Sequence, residues 1–333
     1  MTPPSEVALF YHGFETQAFD HPGGRLRSEL RRRARAAWRG LRRTQVNTGF
    51  FTAFLALKHS LEVAGIRVRV NDFAFARANP RMPVGISGFE AVYDRVVLPN
   101  PAVFGPGFVP DPDRIPEIDR THNIKIFTHP SEWPCRLYPD LGDRVQPMFC
   151  AVDTADWPDL SRREKAVDFL LYDKIYRRRA EREADLLAPL RAALDARGLR
   201  HETLRYGAHH FAQYRRALER ARALLFVCEH ETQGLAYQEA MAANLPVLAW
   251  DEGVLMDPRE RALAPPGLRV SSVPYFDDRC GMTFRIGTME RQLDAFLARR
   301  DGFAPRAFVA ETLSPAAGAA RFLELLEMAR TMP

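Results

Sequence analysis

The sequence has few cysteines and lacks a long apolar run. Its four cysteines, Cys135, Cys150, Cys228 and Cys280, do not have metal-ligand spacing, so a fold held together by zinc or disulfides is not expected. No apolar stretch reaches the ~18 residues needed to span a bilayer, and the N-terminal segment lacks the basic-then-apolar order of a signal peptide. We therefore expect a cytoplasmic globular protein.

The chain also lacks a strong excess of charge of one sign. Its net charge is +5 over 333 residues, with 46% hydrophobic and 27% charged residues, which excludes a disordered class and does not by itself indicate a nucleic-acid binder. At roughly 150 residues per domain, the length predicts two domains. A polar stretch near residues 153–164 separates them, so we predict domains of residues 1–160 and 161–333, with the last helix either remaining with the second domain or packing back on the first.

The positive charge is concentrated in one segment. Between Arg25 and Arg43 there are nine arginines and a single acid, Glu29, a net of +8, which leaves the rest of the chain at −3. An apolar stripe that includes Trp38 predicts a basic amphipathic helix over residues 26–43. Such a helix is typical of attachment to an anionic membrane. The alternatives are packing of the stripe on its own domain with a solvated basic face, and contact with nucleic acid. We rank domain packing together with lipid attraction first, and nucleic acid last because no stacking aromatics accompany the charges.

Apolar runs and helical periodicity alternate along both halves of the chain. In the first half, strands are predicted at 7–11, 66–70, 91–98, 124–127 and 145–152, and a helix at 50–64; the rest of the proline-rich stretch 79–116 is predicted as loop. In the second half, strands are predicted at 167–172, 203–206, 224–228 and 247–250, and helices at 177–197, 211–222, 235–243 and 315–330. This alternation predicts an α/β fold of two Rossmann-like, doubly wound domains with a ligand cleft between them.

Two glutamates, Glu231 and Glu239, stand eight residues apart, the first in the loop after a predicted strand and the second inside the next helix. Gly234 lets the backbone approach a ligand closely, and the free N–H groups where the helix begins suit a phosphate. Both carboxylates then point into one crevice. The spacing alone fits equally well a helix N-terminal acid and a solvated helix face.

The segment from Glu231 to Val247 resembles the E-x7-E signature of retaining GT-B glycosyltransferases of the family 4 type. Further segments are similar in the same order: the loop 47–49, which has one glycine where the family usually has two, then 130–133, 152–154 and 157–158. The resemblance covers most of residues 45–330. It implies the GT-B fold and transfer of a sugar from a nucleoside diphosphate, with no cofactor beyond this co-substrate.

The resemblance also implies roles for individual residues. Glu239 would hold ribose hydroxyls, Glu231 would hold hydroxyls of the transferred sugar, and Gly234 and Leu235 would offer backbone N–H groups. The remaining donor-site residues it implies are Thr48 and Gly49 in the glycine loop, and Tyr206 and Gly207 near the nucleotide base.

Basic residues near the end of the first strand of the second domain complete the expected donor site. The resemblance implies that Lys174, with Arg177 or Arg178, neutralises the leaving diphosphate. The alternative is a surface cluster that opens a helix.

Several polar residues near predicted strand ends of the first domain are candidates for acceptor contact. They are His12, His129 and Glu132, of which His129 is the candidate that we place in the catalytic set. A histidine hydrogen-bonded in the core is the alternative at each position.

No metal ion is expected. Asp111 and Asp113 form a D-x-D triplet, but prolines surround it and a turn explains it better. His209 and His210 lack a third ligand for zinc.

The sequence thus favours a metal-independent, retaining glycosyltransferase acting on a glycan or lipid-linked acceptor in polysaccharide or envelope synthesis, peripheral on the inner face of the membrane. Two other classes remain open. One is a non-catalytic nucleotide- or carbohydrate-binding protein of the same fold, and the other is a basic nucleic-acid-binding protein, which we rank last.

Overall fold

The computed structural model describes residues 4–21, 23–24, 30–34 and 48–332. The chain divides into two compact units, the first formed by Met1–Ala151 and Ser314–Pro333 and the second by Val152–Leu313. Most of the predicted basic helix 26–43 lies outside the described residues; within it, residues 30–34 are helical and exposed.

The first unit is built on a six-stranded parallel sheet with strand order β2-β1-β3-β4-β5-β6. The strands are β1 (Glu6–His12), β2 (Arg67–Val70), β3 (Val84–Gly88), β4 (Ala102–Gly107), β5 (Ile124–His129) and β6 (Val145–Pro147). The helices are α1 (Gly49–Val63), α2 (Phe73–Ala78), α3 (Val92–Arg95), α4 (Ile115–Asp119), α5 (Glu132–Cys135) and α13 (Pro315–Thr331).

The predictions for the proline-rich stretch 79–116 were wrong in two respects. Residues 84–88 and 102–107, expected as loop, are strands whose side chains are mostly buried. Residues 91–98, expected as a strand, contain the short helix α3, in which the Val96 N–H donates to the Val92 carbonyl at 2.9 Å. The prolines lie mainly between these elements. Their high number correctly indicated loops, but it concealed the short strands that the loops connect.

The last helix, α13, packs on α1 and on strands β4 and β5 of the first unit. Phe322 is fully buried in a cluster with Leu9, Tyr11 and Phe54. Gly318 lies in tight contact with α1, where a Cβ would be 3.2 Å from Ser60 Oγ. The C-terminal residues therefore complete the core of the unit in which the chain begins.

The second unit contains a five-stranded parallel sheet with order β11-β10-β9-β7-β8. The strands are β7 (Val167–Lys174), β8 (His201–Arg205), β9 (Ala221–Cys228), β10 (Val247–Trp250) and β11 (Gly281–Phe284). The helices are α6 (Arg179–Arg182), α7 (Ala188–Ala196), α8 (Phe211–Arg220), α9 (Leu235–Ala242), α10 (Pro258–Leu263), α11 (Met289–Arg299) and α12 (Pro305–Thr312).

The helix predicted over 177–197 is three consecutive pieces. A π-helical segment, Glu183–Leu187, joins α6 to α7 just before Pro189. Proline has no N–H to donate and its ring displaces the preceding carbonyls, so a wider turn accommodates it better than a regular α-helix. Strand β11 and helices α10, α11 and α12 were not predicted.

Strand order reverses between β7 and β9, which are neighbours in space and are separated in sequence by β8. In doubly wound sheets, ligands bind beyond the carboxyl ends of the strands at such a switch point. The fold therefore directs attention to the residues that follow β7 and β9.

Among the described residues, no helix is both long enough and apolar enough to cross a membrane.

We expect Phe322→Ala to destabilise the first unit by about 3–5 kcal/mol, because it leaves a cavity in a fully buried aromatic cluster. Denaturant unfolding of the whole chain measures this loss. Glu324→Ala is the matched control on the same helix, since its carboxylate is 60% exposed and surface pairs contribute less than about 1 kcal/mol. Equal effects of the two substitutions would contradict the packing described here.

Candidate functional site

A lysine and a glutamate meet at the switch point of the second sheet. Lys174 is the last residue of β7 and lies in register with Cys228, the last residue of β9. Glu231 follows three residues later, and its Oε1 accepts a short hydrogen bond from the Lys174 ammonium. The strand ends thus bring together two side chains that the sequence separates by 57 positions.

The Lys174–Glu231 pair is largely removed from solvent, with side chains 16% and 10% exposed. Burial on its own lowers the pKa of Lys174, but the Glu231 carboxylate outweighs it, so the pKa is raised and the ammonium stays charged. The same ammonium lies 4.7 Å from the centroid of the Tyr206 ring, within cation–π range. Breaking such a buried pair from one side is costly, because the remaining charge is left without compensation.

The loop between β9 and α9 is held by a glycine in the left-handed region. Gly234 has φ of +84°, and a Cβ there would lie 2.3 Å from Tyr237 Cε1. The loop is tied down further where the Glu231 N–H donates to the Ser271 carbonyl at 2.9 Å. Leu235 begins α9 directly after Gly234, so the first N–H groups of the helix face the same end of the sheet as the strand ends.

Glu239 lies one turn inside α9 and is half-buried. Its carboxylate makes no hydrogen bond with any residue that the structure describes. Burial raises its pKa to about 8, and the Arg215 guanidinium offsets part of this effect. A carboxyl group in this state is neutral through part of the physiological range and keeps its hydrogen-bonding capacity for a ligand.

The ionisation of the Tyr172 hydroxyl is affected by several of the predicted site residues. Burial is the main cause of the raised pKa of this phenol, Lys174 lowers it, and Tyr206, Glu239 and Glu231 raise it further. All four groups therefore lie close enough to one hydroxyl to affect its ionisation.

Two exposed tyrosines flank the ion pair. Tyr206 and Tyr176 are 46% and 61% exposed, and their rings meet edge to face at 5.6 Å. The Tyr206 N–H donates to the Asp173 carbonyl at 2.9 Å, which fixes this position beside the end of β7. Gly207 follows in the left-handed region, with φ of +79°. Exposed aromatic faces beside a cation suit a planar or sugar ligand.

The arginines that follow β7 form ion pairs with nearby carboxylates. Arg177 pairs with Asp257, the N-cap of α10, and Arg178 is 60% exposed and lies 3.6 Å from Glu181. Both were predicted to bind the donor, and both engage carboxylates rather than the Lys174–Glu231 pair.

Sequence reasoning missed two buried acids beside the site. Asp173 is 2% exposed and pairs with Arg179 at 2.6 Å. Glu229 accepts hydrogen bonds from the backbone N–H groups of Tyr176 and Arg177 at 3.0 and 2.8 Å. Asp173 is the residue before the last of one apolar strand and Glu229 directly follows another, which is the signal that would have found them. These carboxylates fix the loop that carries Tyr176.

The other predicted site residues belong to the first unit. Thr48 caps α1 by accepting from the Phe51 N–H, and its own N–H donates to Glu15 Oε1 at 2.7 Å, while Gly49 opens the helix. Asn47, which completes the predicted loop, lies outside the described residues.

His129 ends β5 with its Nε2 buried and without a hydrogen-bond partner among the described residues. Burial lowers the pKa of His129 to about 4, so the ring is neutral at physiological pH. His12 accepts from the Ala18 N–H through Nδ1. Glu132 is the first residue of α5.

Within the described part of the chain, no three His, Cys, Asp or Glu side chains are grouped so that they would hold a metal ion. Asp111 and Asp113 are exposed around a 3-10 turn. His210 caps α8, and His209 contacts the Tyr172 hydroxyl through Nε2 at 3.3 Å.

Comparison with known proteins places the fold. No family model and no curated protein matches the sequence. Among solved structures, sucrose-phosphate synthase from Thermosynechococcus elongatus is 10% identical with a TM-score of 0.51, over 98% of this chain and 99% of that one. AviGT4, a glycosyltransferase involved in avilamycin A biosynthesis, is 12% identical with a TM-score of 0.49, over 99% of each chain. The lipopolysaccharide outer core galactosyltransferase WaaB is 10% identical with a TM-score of 0.48, over 98% and 99%.

At such low sequence identity, a structural likeness shows the fold and nothing further. The two parallel sheets, with the likeness to sucrose-phosphate synthase, confirm the predicted fold class: the chain has the GT-B fold, with two Rossmann-like α/β domains.

The raised pKa of Glu239 predicts a pH-dependent cost of folding. The unfolded chain releases this proton near pH 4.5 and the folded chain near pH 8, so the carboxyl lowers stability progressively between these values. Glu239→Gln removes this cost. We expect its stability relative to wild type to rise by about 1–3 kcal/mol from pH 5 to pH 9, partial exposure limiting the effect. Glu290→Gln, which alters an exposed carboxylate on α11, is the control. A pH-independent difference for Glu239→Gln in denaturant unfolding would contradict the raised pKa.

Proposed function

We propose that the protein is a glycosyltransferase that moves a sugar from a nucleoside-diphosphate sugar to a glycan or lipid-linked acceptor. The observation that carries this proposal is the buried Lys174–Glu231 pair at the switch point of the second sheet, with Glu239 inside the helix that follows. Glu231 and Glu239 are the two glutamates of the E-x7-E resemblance, and the fold supports the same conclusion.

In this proposal the donor lies across the carboxyl ends of β7 and β9. Glu239 binds the ribose hydroxyls, since its carboxyl has no hydrogen bond of its own in the structure. The N–H groups at Gly234 and Leu235 approach the diphosphate or the sugar. The diphosphate competes with Glu231 for the Lys174 ammonium, and Glu231 is thereby released to accept hydrogen bonds from the sugar hydroxyls.

The chemistry follows from the charge that develops when the diphosphate departs. The bond between the anomeric carbon and the diphosphate oxygen breaks, and the acceptor oxygen bonds to the same face of the carbon. The acceptor proton passes to the leaving diphosphate, so the configuration is retained without a separate carboxylate base. The transition state resembles an oxocarbenium ion, as in glycoside hydrolysis, and Lys174 stabilises the growing negative charge.

The proposal assigns the neutralising role of a divalent cation to Lys174 with Arg177 or Arg178, and it includes neither a metal nor a cofactor. For an arginine to contribute, it must exchange its present carboxylate for the diphosphate. We expect transfer activity to survive chelation by EDTA. Loss of activity with EDTA and recovery with manganese would instead support Asp111 and Asp113.

The acceptor part of the proposal rests on the sequence. The net charge of +8 between Arg25 and Arg43 favours attachment to the anionic inner face of a membrane, where each basic residue contributes about 1 kcal/mol. We expect the chain to sediment with anionic vesicles and not with neutral ones, and the binding to weaken with salt. Equal sedimentation with both vesicle types would remove the membrane from the proposal.

The first experiment identifies the donor. A panel of nucleoside diphosphates and nucleotide sugars is added to the full chain and thermal unfolding is measured, because a ligand at 100 times its dissociation constant adds about 2.7 kcal/mol. Transfer and donor hydrolysis are then assayed with each hit. Binding without turnover would favour a non-catalytic nucleotide-binding protein, and no binding at all would overturn the proposal.

The second experiment separates the roles of the site residues. We expect Glu239→Ala to weaken donor binding by about 1.5–3 kcal/mol, and Glu231→Ala mainly to lower turnover. Lys174→Ala is expected to cost about 2.7–4 kcal/mol of transition-state stabilisation. Glu290→Ala, an exposed carboxylate of the same unit, is the control. Unchanged binding and turnover in all three site variants, with the fold intact by circular dichroism, would reject this assignment.

A further inference from the structure

A second charged pocket lies at the opposite edge of the sheet in the second unit, where the strands begin. It has a volume of about 190 Å³, and its lining includes Arg163, Lys165, Arg222, Arg300, Asp301 and Asn244. Lys165 lies two residues before β7, and Arg222 is the second residue of β9. The candidate donor site lies at the other end of these same strands, so the pocket is a separate site.

The positive charge of this pocket is only partly compensated. Among the described residues, no carboxylate lies within ion-pair distance of Arg163. Arg222 lies 3.5 Å from Asp168, and Arg300 donates to Asp301 at 3.0 Å. Among the described residues, the four basic side chains of the lining therefore have two carboxylates within ion-pair distance, Asp168 and Asp301.

Lys165 is the buried member of the cluster. It is 9% exposed, and its ammonium donates to the Glu219 carbonyl at 3.3 Å. Burial lowers the pKa of Lys165 to about 8, and the charges of Arg163 and Arg222 lower it further. A buried cation with neighbours of its own sign is stabilised when an anion joins it.

Two further carboxylates, Glu219 and Asp159, raise the pKa of Lys165 from a distance, and Asp159 is already engaged. Asp159 accepts from the Ser161 N–H and hydroxyl at 2.9 and 2.7 Å, and both of its oxygens accept from Asn244. The backbone around it is fixed as well, because the Leu160 N–H donates to the Ala243 carbonyl at 2.9 Å. Asp159 thus holds the loop before β7 in place, and both of its oxygens already have partners within the protein.

We propose that this pocket binds the phosphate group of a small phosphorylated molecule. A guanidinium group can donate two parallel hydrogen bonds to the oxygens of one phosphate, and an ammonium adds a point charge. Arg163 and Arg222 supply the guanidinium groups, and Lys165 supplies the ammonium. The volume holds a phosphate with a small attached group and is below the roughly 300–1,000 Å³ of pockets for larger ligands. This proposal does not depend on the proposed glycosyl transfer, because phosphate binding is measured without turnover.

Thermal unfolding of the full chain tests the proposal, with inorganic phosphate, a hexose phosphate and the free hexose as probes, and potassium chloride at matched ionic strength as reference. We expect inorganic phosphate and the hexose phosphate to raise the Tm beyond the chloride reference, and the free hexose to have no effect. A tighter response to the hexose phosphate identifies a phosphate ester as the ligand, and an equal response identifies free phosphate.

Variants locate the binding. Arg163→Gln and Arg222→Gln alter exposed side chains and are each expected to weaken phosphate binding about tenfold. Arg162→Gln, the exposed neighbour outside the lining, is the matched control, and Lys174→Gln tests binding at the donor site. Equal effects of phosphate and chloride would overturn the proposal, and so would a response lost in Lys174→Gln but kept in Arg163→Gln.

Discussion

Burial of opposite charges at adjacent strand ends is the constraint on which the candidate site depends. Parallel strands β7 and β9 end side by side, and each is followed by acidic or basic residues that cannot all reach water. The Lys174–Glu231 pair satisfies part of this demand, while Arg179 satisfies buried Asp173 and two backbone N–H groups satisfy Glu229. A site assembled in this way has its charged groups held in fixed directions by partners within the protein.

The two edges of the second sheet handle charge differently. At the carboxyl edge, Lys174, Arg177 and Arg179 each pair with a carboxylate. At the amino edge, Lys165 has no carboxylate within ion-pair distance among the described residues, and its ammonium donates to a carbonyl. In the two proposals, ligand binding at the first edge rearranges existing ion pairs, whereas binding at the second adds an anion to a cluster with an excess of cations. Glu239 is a third case, a carboxyl group kept partly neutral by its surroundings.

Most of the alternation in the second unit was predictable, because its buried strands are continuous apolar runs and its loops carry glycine. The positions of Glu231, Gly234 and Glu239 followed from the same pattern. The short strands Val84–Gly88 and Ala102–Gly107 did not, since each is interrupted by glycine or bordered by proline and only pairing with neighbours makes it a strand. The partners of Arg177 and Arg179 could not be predicted from the sequence either, because they depend on which loops the sheet brings together.

The first unit is discontinuous in sequence, with α13 supplied by residues that follow the whole of the second unit. During synthesis, residues 152–313 leave the ribosome before the helix that completes the first core. The second unit thus has all of its strands available while the apolar faces of Leu9, Phe54 and their neighbours still lack Phe322. Vectorial folding would then complete the second unit before the first, and the nascent first sheet is the part of the chain that most needs protection from aggregation.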